Sequence, residues 1–110
     1  MEITNKTVDD VTVVTLKGDI DAKSAPEVQA EVLSFAQPGT KLLLDMTEVP
    51  FMSSAGLRML LSVYRKLSAT EGKLVLAGVA EGIVDTMSVT GFLQFFPLAG
   101  DVESGLTLLK

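Results

Sequence analysis

Two short apolar runs, each followed by a helical pattern, constrain the fold of this chain most strongly. The runs are residues 41–45 (KLLLD) and 73–77 (KLVLA). A run of this length, apolar on both side-chain faces, is typical of a strand that is covered on both sides of its sheet. Apolar residues at helical spacing follow each run. The alternation therefore predicts parallel strand pairs joined by crossover helices.

The remaining segments extend this pattern at both ends. Residues 3–8 and 11–16 are rich in β-branched side chains and flank an Asp-Asp turn, which predicts a hairpin. Further along, we predict helices over residues 24–37, 54–69, 81–89 and 101–108, with a short edge strand at Phe95-Phe96. The chain is thus predicted to be one α/β domain over residues 1–110, with a mixed four- to five-stranded sheet and about four helices.

Local signals place two of the predicted helix ends. Ser24 and Glu27 have the spacing of a capping box, and Pro26 is tolerated in the first turn, so the first helix is expected to begin there. Gly72 suits the position just beyond the C-terminus of the second helix.

The absence of two residue types excludes several classes of chemistry. The chain has no cysteine and no histidine. Disulfides, thiolate nucleophiles, Cys/His metal sites and Ser-His-Asp arrangements are therefore excluded. The sequence also lacks the glycine-rich phosphate loops of nucleotide-binding enzymes. We therefore expect no metal, no cofactor and no enzymatic activity.

The charge of the chain bears on its partners. The net charge is −5, and an acidic surface repels nucleic-acid phosphates and anionic lipids. The polar N-terminus has no signal-peptide pattern, and no apolar run is long enough to span a bilayer. These features predict a cytoplasmic protein that binds neither nucleic acid nor membrane and has a protein partner. A monomer is the default expectation.

The most informative segment is residues 44–57 (LDMTEVPFMSSAGL). A buried strand ends at Asp45, and Ser53 and Ser54 stand where a helix begins. Functional groups gather at the carboxyl ends of strands in such sheets, and a helix N-terminus carries free N–H groups and partial positive charge. The residues alone leave two interpretations open: an anion or phosphate site, or a helix cap with Gly56 present only for close packing.

This segment resembles the signature of the STAS domain, the fold of bacterial anti-sigma-factor antagonists. The positions that match are Asp45, Thr47, Val49, Phe51, Met52, Ser54, Gly56 and Leu57. A second feature of that family, a Gly-Asp-Ile-Asp motif after the second strand, is matched by residues 18–21. The predicted order of elements agrees over essentially the whole chain.

The resemblance implies a function. In that family a serine kinase, which is itself an anti-sigma factor, phosphorylates the serine that precedes the Ser/Ala-Gly pair. This acceptor position falls on Ser54. Only the unphosphorylated domain binds the kinase and so releases the sigma factor, and a PP2C-type phosphatase reverses the modification. Many members have Asp before the acceptor where this chain has Ser53, so Ser53 is the alternative site.

Several residues near Ser54 are predicted to contact the partner. They are Asp21, Asp45, Met52, Ser53, Gly56 and Met59. The two aspartates follow predicted strands, so they are expected near Ser54, where they would repel a phosphate; ordinary loop capping is the alternative. Met59 and Val63 are candidates for an exposed edge of the second helix, although Val63 also suits the core. Phe51 is expected in the core.

One alternative function uses the same fold. A STAS domain can be a structural subunit that binds a transporter ATPase or another protein without any phosphate cycle.

Overall fold

The computed structural model describes residues 1–110 and shows one five-stranded sheet covered by four helices. The strands are β1 (Glu2–Val8), β2 (Val11–Lys17), β3 (Lys41–Glu48), β4 (Lys73–Ala77) and β5 (Leu98–Ala99). The helices are α1 (Ala25–Leu33), α2 (Ser54–Ala69), α3 (Glu81–Val89) and α4 (Val102–Leu108). The predicted fold class, a mixed sheet with four helices, is confirmed. No helix of the chain combines the length and the apolar character needed to cross a membrane.

The strands lie in the sheet in the order in which they follow along the chain. β1 and β2 form the predicted antiparallel hairpin. The pairs β2–β3, β3–β4 and β4–β5 are parallel, and α1, α2 and α3 make the three crossovers between them. Because β2, β3 and β4 run in the same direction, the loops that follow them meet at one edge of the sheet.

Helices cover both faces of the sheet. The larger cluster of 21 buried apolar residues lies between one face and helices α1, α2 and α3. A smaller cluster of 6 buried residues lies on the other face, under α4. Side chains alternate between these clusters along β3, where Leu44 belongs to the larger one and Leu43 to the smaller one. This arrangement explains why the apolar runs show no polar face.

The last strand lies later in the chain than the sequence predicts. The expected strand at Phe95-Phe96 is wrong, because Leu93–Phe95 form a single 3₁₀ turn and β5 begins only after Pro97. Pro97 has no N–H group to give to a ladder. Phe96 is buried and packs edge-on against Tyr64, with 5.6 Å between the ring centroids. A core contact of this ring, rather than strand pairing, fixes the segment.

The first turn of α1 is not closed by the predicted capping box. Ser24 has helical backbone angles and its side chain does not cap the helix. Instead, the Asp21 carboxylate accepts hydrogen bonds of 3.0 Å from the N–H groups of Lys23 and Ser24. The Ser24 hydroxyl turns back into the preceding loop and donates to the Asp19 carbonyl at 2.8 Å. The N–H of Ala25 donates to the Asp21 carbonyl at 2.8 Å, so the helical hydrogen bonds begin at Asp21, which is the cap.

The C-terminus of α2 ends in a Schellman motif that is centred one residue earlier than predicted. Glu71, and not Gly72, has the left-handed conformation, with φ of 63°. The N–H of Gly72 donates to the Leu67 carbonyl at 2.7 Å, and the N–H of Glu71 donates to the Ser68 carbonyl at 3.2 Å. Gly72 is required for space, because a Cβ there would lie 3.0 Å from the Thr40 carbonyl oxygen.

Glu71→Gly is therefore expected to stabilise the protein by about 0.5–1 kcal/mol. A left-handed conformation costs a residue with a Cβ about 1–2 kcal/mol, and the greater freedom of glycine in the unfolded chain offsets part of the gain. Urea unfolding measures the difference. Glu71→Ala is the matched control, because it removes the same charge but keeps the Cβ. Equal stability of the Gly and Ala variants would contradict the assignment of strain to this residue.

Candidate functional site

The two segments that resemble the STAS signature lie side by side at the carboxyl edge of the sheet. Ile20, in the loop after β2, forms an isolated parallel bridge with Met52, in the loop after β3. The N–H of Ile20 donates to the Phe51 carbonyl at 3.0 Å, and the N–H of Ser53 donates to the Ile20 carbonyl at 2.8 Å. These bonds extend the β2–β3 pairing up to Ser53, the residue before α2, so the loop after β2 fixes the position of the serine pair.

The two adjacent serines have different structural roles. Ser53 is the N-cap of α2 and has an extended backbone, and its Oγ accepts a hydrogen bond from the Gly56 N–H at 3.4 Å. Ser54 is the first residue of the helix and is exposed. Since Ser53 supplies the capping oxygen, the Ser54 hydroxyl is not needed to start the helix. It is therefore the serine of the pair that chemical modification can reach without removing the cap.

Gly56 allows α2 to lie directly on two loops that pair through Ile20 and Met52, one after β2 and one after β3. We call them the paired loops. It is buried in the first turn of the helix. A Cβ at this position would collide with the side chain of Met52 and would lie 2.9 Å from Cγ2 of Ile20. The close-packing interpretation of Gly56 is therefore the one that the structure supports, and its predicted contact with a partner is not, because the residue is covered.

The burial of the apolar residues near Ser54 differs from the prediction. Met59 is 3% exposed and Val63 0%, so the predicted exposed edge is wrong and the core alternative for Val63 is confirmed. Met52 is 6% exposed and belongs to the core as well. Met52 points inward because its bridge to Ile20 turns that side of the extended loop toward Gly56. Alternation along the loop then turns Phe51 outward, and Phe51 is 52% exposed, contrary to the expectation that it lies in the core.

Asp21 lies on the loop that pairs with the serine segment. It directly follows Ile20, whose carbonyl bonds to the N–H of Ser53. The backbone N–H of Ser24, followed by that of Lys23, donates to the Asp21 carboxylate and lowers the pKa of this group below its ordinary value. Asp21 is thus ionised at neutral pH, and its loop pairs with the segment that leads to Ser54.

Asp45 lies on the other side of the sheet. Its register partner on β4 is Ala77, which packs in the cluster under α4. Its carboxylate accepts hydrogen bonds from the hydroxyl of Thr47 at 2.6 Å and from the Thr47 N–H at 3.1 Å. Residues in register share a face, and α2 covers the opposite one. The expectation that Asp45 lies beside Ser54 is therefore corrected: it stabilises the end of β3.

The structure adds a residue that the sequence analysis missed. Arg58 is exposed on α2 and lines the groove between α1 and α2 together with Ala55 and Met59. It stands four residues after Ser54, which places both side chains on one face of the helix. This spacing is visible in the sequence and could have identified the residue.

A separate apolar cavity lies at the opposite end of α2. It has a volume of about 400 Å³, and its walls include Tyr64, Leu67 and Phe95. None of the residues that surround Ser54 lines it.

Comparison with known proteins decides the family. The model of the STAS domain matches residues 2–105. The chain belongs to the STAS domain family. The STAS relatives include the protein BtrV of Bordetella bronchiseptica, which is 29% identical over 111 residues, spanning 100% of this chain and 96% of BtrV. The anti-sigma-B factor antagonist of Listeria monocytogenes is 32% identical over 93 residues, which span 83% of this chain and 80% of the relative.

A solved structure shares the fold at lower sequence identity. It is that of the Bacillus cell fate determinant SpoIIAA in the phosphorylated form, which superimposes with a TM-score of 0.77 at 18% identity. The match covers 99% of this chain and 100% of SpoIIAA. SpoIIAA and this chain therefore share one fold.

Proposed function

We propose that this chain is an anti-sigma-factor antagonist that works as a phospho-switch in the cytoplasm. The unphosphorylated form binds a serine kinase that is also an anti-sigma factor, and this binding releases the sigma factor. Phosphorylation of Ser54 abolishes the complex, and a PP2C-type phosphatase restores the binding form. The chain itself is a binding protein, and the catalytic groups belong to its partners.

The exposed hydroxyl of Ser54 carries this proposal. It stands at the first residue of α2, next to a separate capping serine and three residues after Phe51, which is exposed. In the forward step the γ-phosphoryl group of ATP moves to Oγ, the hydroxyl proton passes to a base of the kinase, and ADP leaves. In the reverse step water attacks the phosphorus atom, which regenerates the serine and releases inorganic phosphate.

A phosphate at this position is expected to change the surface and not the fold. It adds about −1.5 to −2 charges and three acceptor oxygens. The N-terminus of α2 favours that charge by about 0.3–1 kcal/mol. Asp21, on the paired loop, adds a negative charge to the same region. A partner that packs against Ser54 therefore meets new bulk and new negative charge on an intact domain.

The comparisons support this proposal. The relative in Listeria monocytogenes bears the name of an anti-sigma-B factor antagonist. SpoIIAA, with the same fold, has been solved in its phosphorylated form.

The test is a binding measurement with a purified histidine-kinase-like ATPase from the same organism, with and without ATP. We expect ATP to dissociate the complex of the wild-type chain and to leave the complex of Ser54→Ala intact. Ser54→Glu should bind at least tenfold more weakly, which corresponds to about 1.4 kcal/mol. Ser53→Ala is the control and should still dissociate with ATP. A Ser54→Ala complex that ATP dissociates like the wild type would overturn the proposal.

A further inference from the structure

The exposed side of α2 is basic although the protein is acidic. It carries Arg58, Arg65 and Lys66, and the helix contains no aspartate or glutamate. The whole chain has a net charge of −5. The ion pairs of the protein involve only Lys17 and Lys41. The three cations of α2, which we call the basic face, therefore have no carboxylate partner within the domain.

Arg58 connects this face with Ser54. It lines a shallow groove on the outer side of α2 with Arg65 and Lys66, and it also lines the groove between α1 and α2. Helical residues four apart have Cβ atoms about 5–6 Å from each other, within the reach of an arginine side chain. Both Ser54 and Arg58 are exposed. A phosphate on Ser54 thus lies within reach of the guanidinium group.

We propose that the basic face binds an acidic surface of the protein partner. When Ser54 is phosphorylated, Arg58 pairs with the phosphate and no longer binds that surface. In the unmodified chain the guanidinium group is free to bind a carboxylate of the partner. In the phosphorylated chain two phosphate oxygens accept its N–H donors, which is the geometry that arginine and phosphate favour. This inference rests on the proposed function and adds the chemistry of the partner and a residue that senses the modification.

An acidic protein surface fits the basic face better than a nucleic acid does. Asp19 and Asp21 flank Ile20, which pairs with the segment before α2. Their charges would repel a phosphate backbone. A protein surface can place its carboxylates opposite the three cations and avoid these aspartates. Complementary charge of this kind speeds association and selects the partner.

The first test does not depend on a kinase. Phosphoserine is incorporated at position 54 during translation, and phosphorus NMR follows the second ionisation of the phosphate with pH. Asp19 and Asp21, which stay in every variant, are expected to raise this pKa, and Arg58 is expected to lower it. We expect Arg58→Gln to raise the phosphate pKa by about 0.2–0.4 pH unit. Arg65→Gln removes the same charge from the same helix farther from Ser54 and should leave the value unchanged. Equal values for the two variants would overturn the pairing.

The second test uses the kinase-type partner. Arg58→Gln in the unmodified chain should weaken binding about tenfold, and raising the salt concentration should weaken the wild-type complex more than the variant complex. Phosphorylation should then reduce the affinity of the variant less than that of the wild type. Unchanged binding of Arg58→Gln would overturn this inference and leave the proposed function intact. A chain that Ser54 phosphorylation does not switch would overturn the proposed function, while the NMR result would still stand.

Discussion

Gly56→Ala is expected to lower the free energy of unfolding by about 1–3 kcal/mol, the usual range for an overpacked core. The added methyl group would overlap the side chain of Met52 and approach Cγ2 of Ile20 to 2.9 Å. Both neighbours are buried. Relief therefore requires α2 to move away from the paired loops, which would also displace Ser54. Chemical denaturation gives the change in stability, and amide shifts of the loop residues report the displacement.

Gly82→Ala is the matched control for this substitution. Gly82 also lies near the start of a helix, α3, but a Cβ there would meet no atom within 4 Å. Alanine is the better helix former, so this variant should gain about 0.5–1 kcal/mol. If Gly56→Ala were as stable as Gly82→Ala, the close contact between α2 and the paired loops would not constrain the site.

Gly78→Ala is expected to destabilise the protein by about 2–4 kcal/mol, the sum of backbone strain and overpacking. Gly78 follows β4 with a φ of +67°. A Cβ there would collide with the Thr47 hydroxyl and would lie 3.3 Å from the Thr47 Cα. Thr47 is in turn held by Asp45. The substitution would therefore disturb the end of β3, from which the segment with Ser54 departs.

A double-mutant cycle with Thr47→Ala separates the two contributions. Removing the threonine hydroxyl relieves the collision but not the strained backbone of Gly78→Ala. We expect the double variant to be more stable than the sum of the single effects predicts, by about 0.5 kcal/mol or more. Additive effects in urea unfolding would contradict a direct contact between the two positions.

The order of the elements could be predicted because it depends on local patterns. The runs at residues 41–45 and 73–77 are apolar on both side-chain faces, and only strands covered on both sides need that composition. The same property concealed the position of Asp45. A strand with one polar face shows which way each side chain points, whereas a strand with two apolar faces does not. The sequence therefore predicts at which edge of the sheet Asp45 lies, but it does not predict toward which face its side chain points.

The errors near the serine pair have a different origin, since they depend on contacts between distant parts of the chain. Met52 is buried because Ile20 pairs with it, and this pairing turns Phe51 to the surface. Nothing in the composition of the loop fixes that alternation. Met59 and Val63 are buried because α2 packs against both the sheet and α1. Its buried apolar stripe is therefore wider than contact with the sheet alone would make it.

Helix ends were predicted within a few residues, and competition between local signals explains the differences. Asp21 and Ser24 can both cap, and the chain uses Asp21, whose carbonyl already accepts the first helical hydrogen bond, from the N–H of Ala25. Glycine at position 72 suggested a left-handed residue. Gly72 instead provides space for the close approach of Thr40, and Glu71 has the left-handed conformation. A single sequence does not distinguish a glycine kept for space from one kept for its backbone angles.

The most direct test of the account is the location of the phosphate. Trypsin cleaves after Lys41 and Arg58, so one peptide, residues 42–58, contains both candidate serines, and Thr47 is its other hydroxyl residue. The chain is incubated with ATP and an extract of its own cells, and tandem mass spectrometry then locates the modification. We expect a single phosphate on Ser54 in the wild-type peptide and none on this peptide in Ser54→Ala. A peptide that stays unmodified, or a phosphate on Ser53, would contradict it.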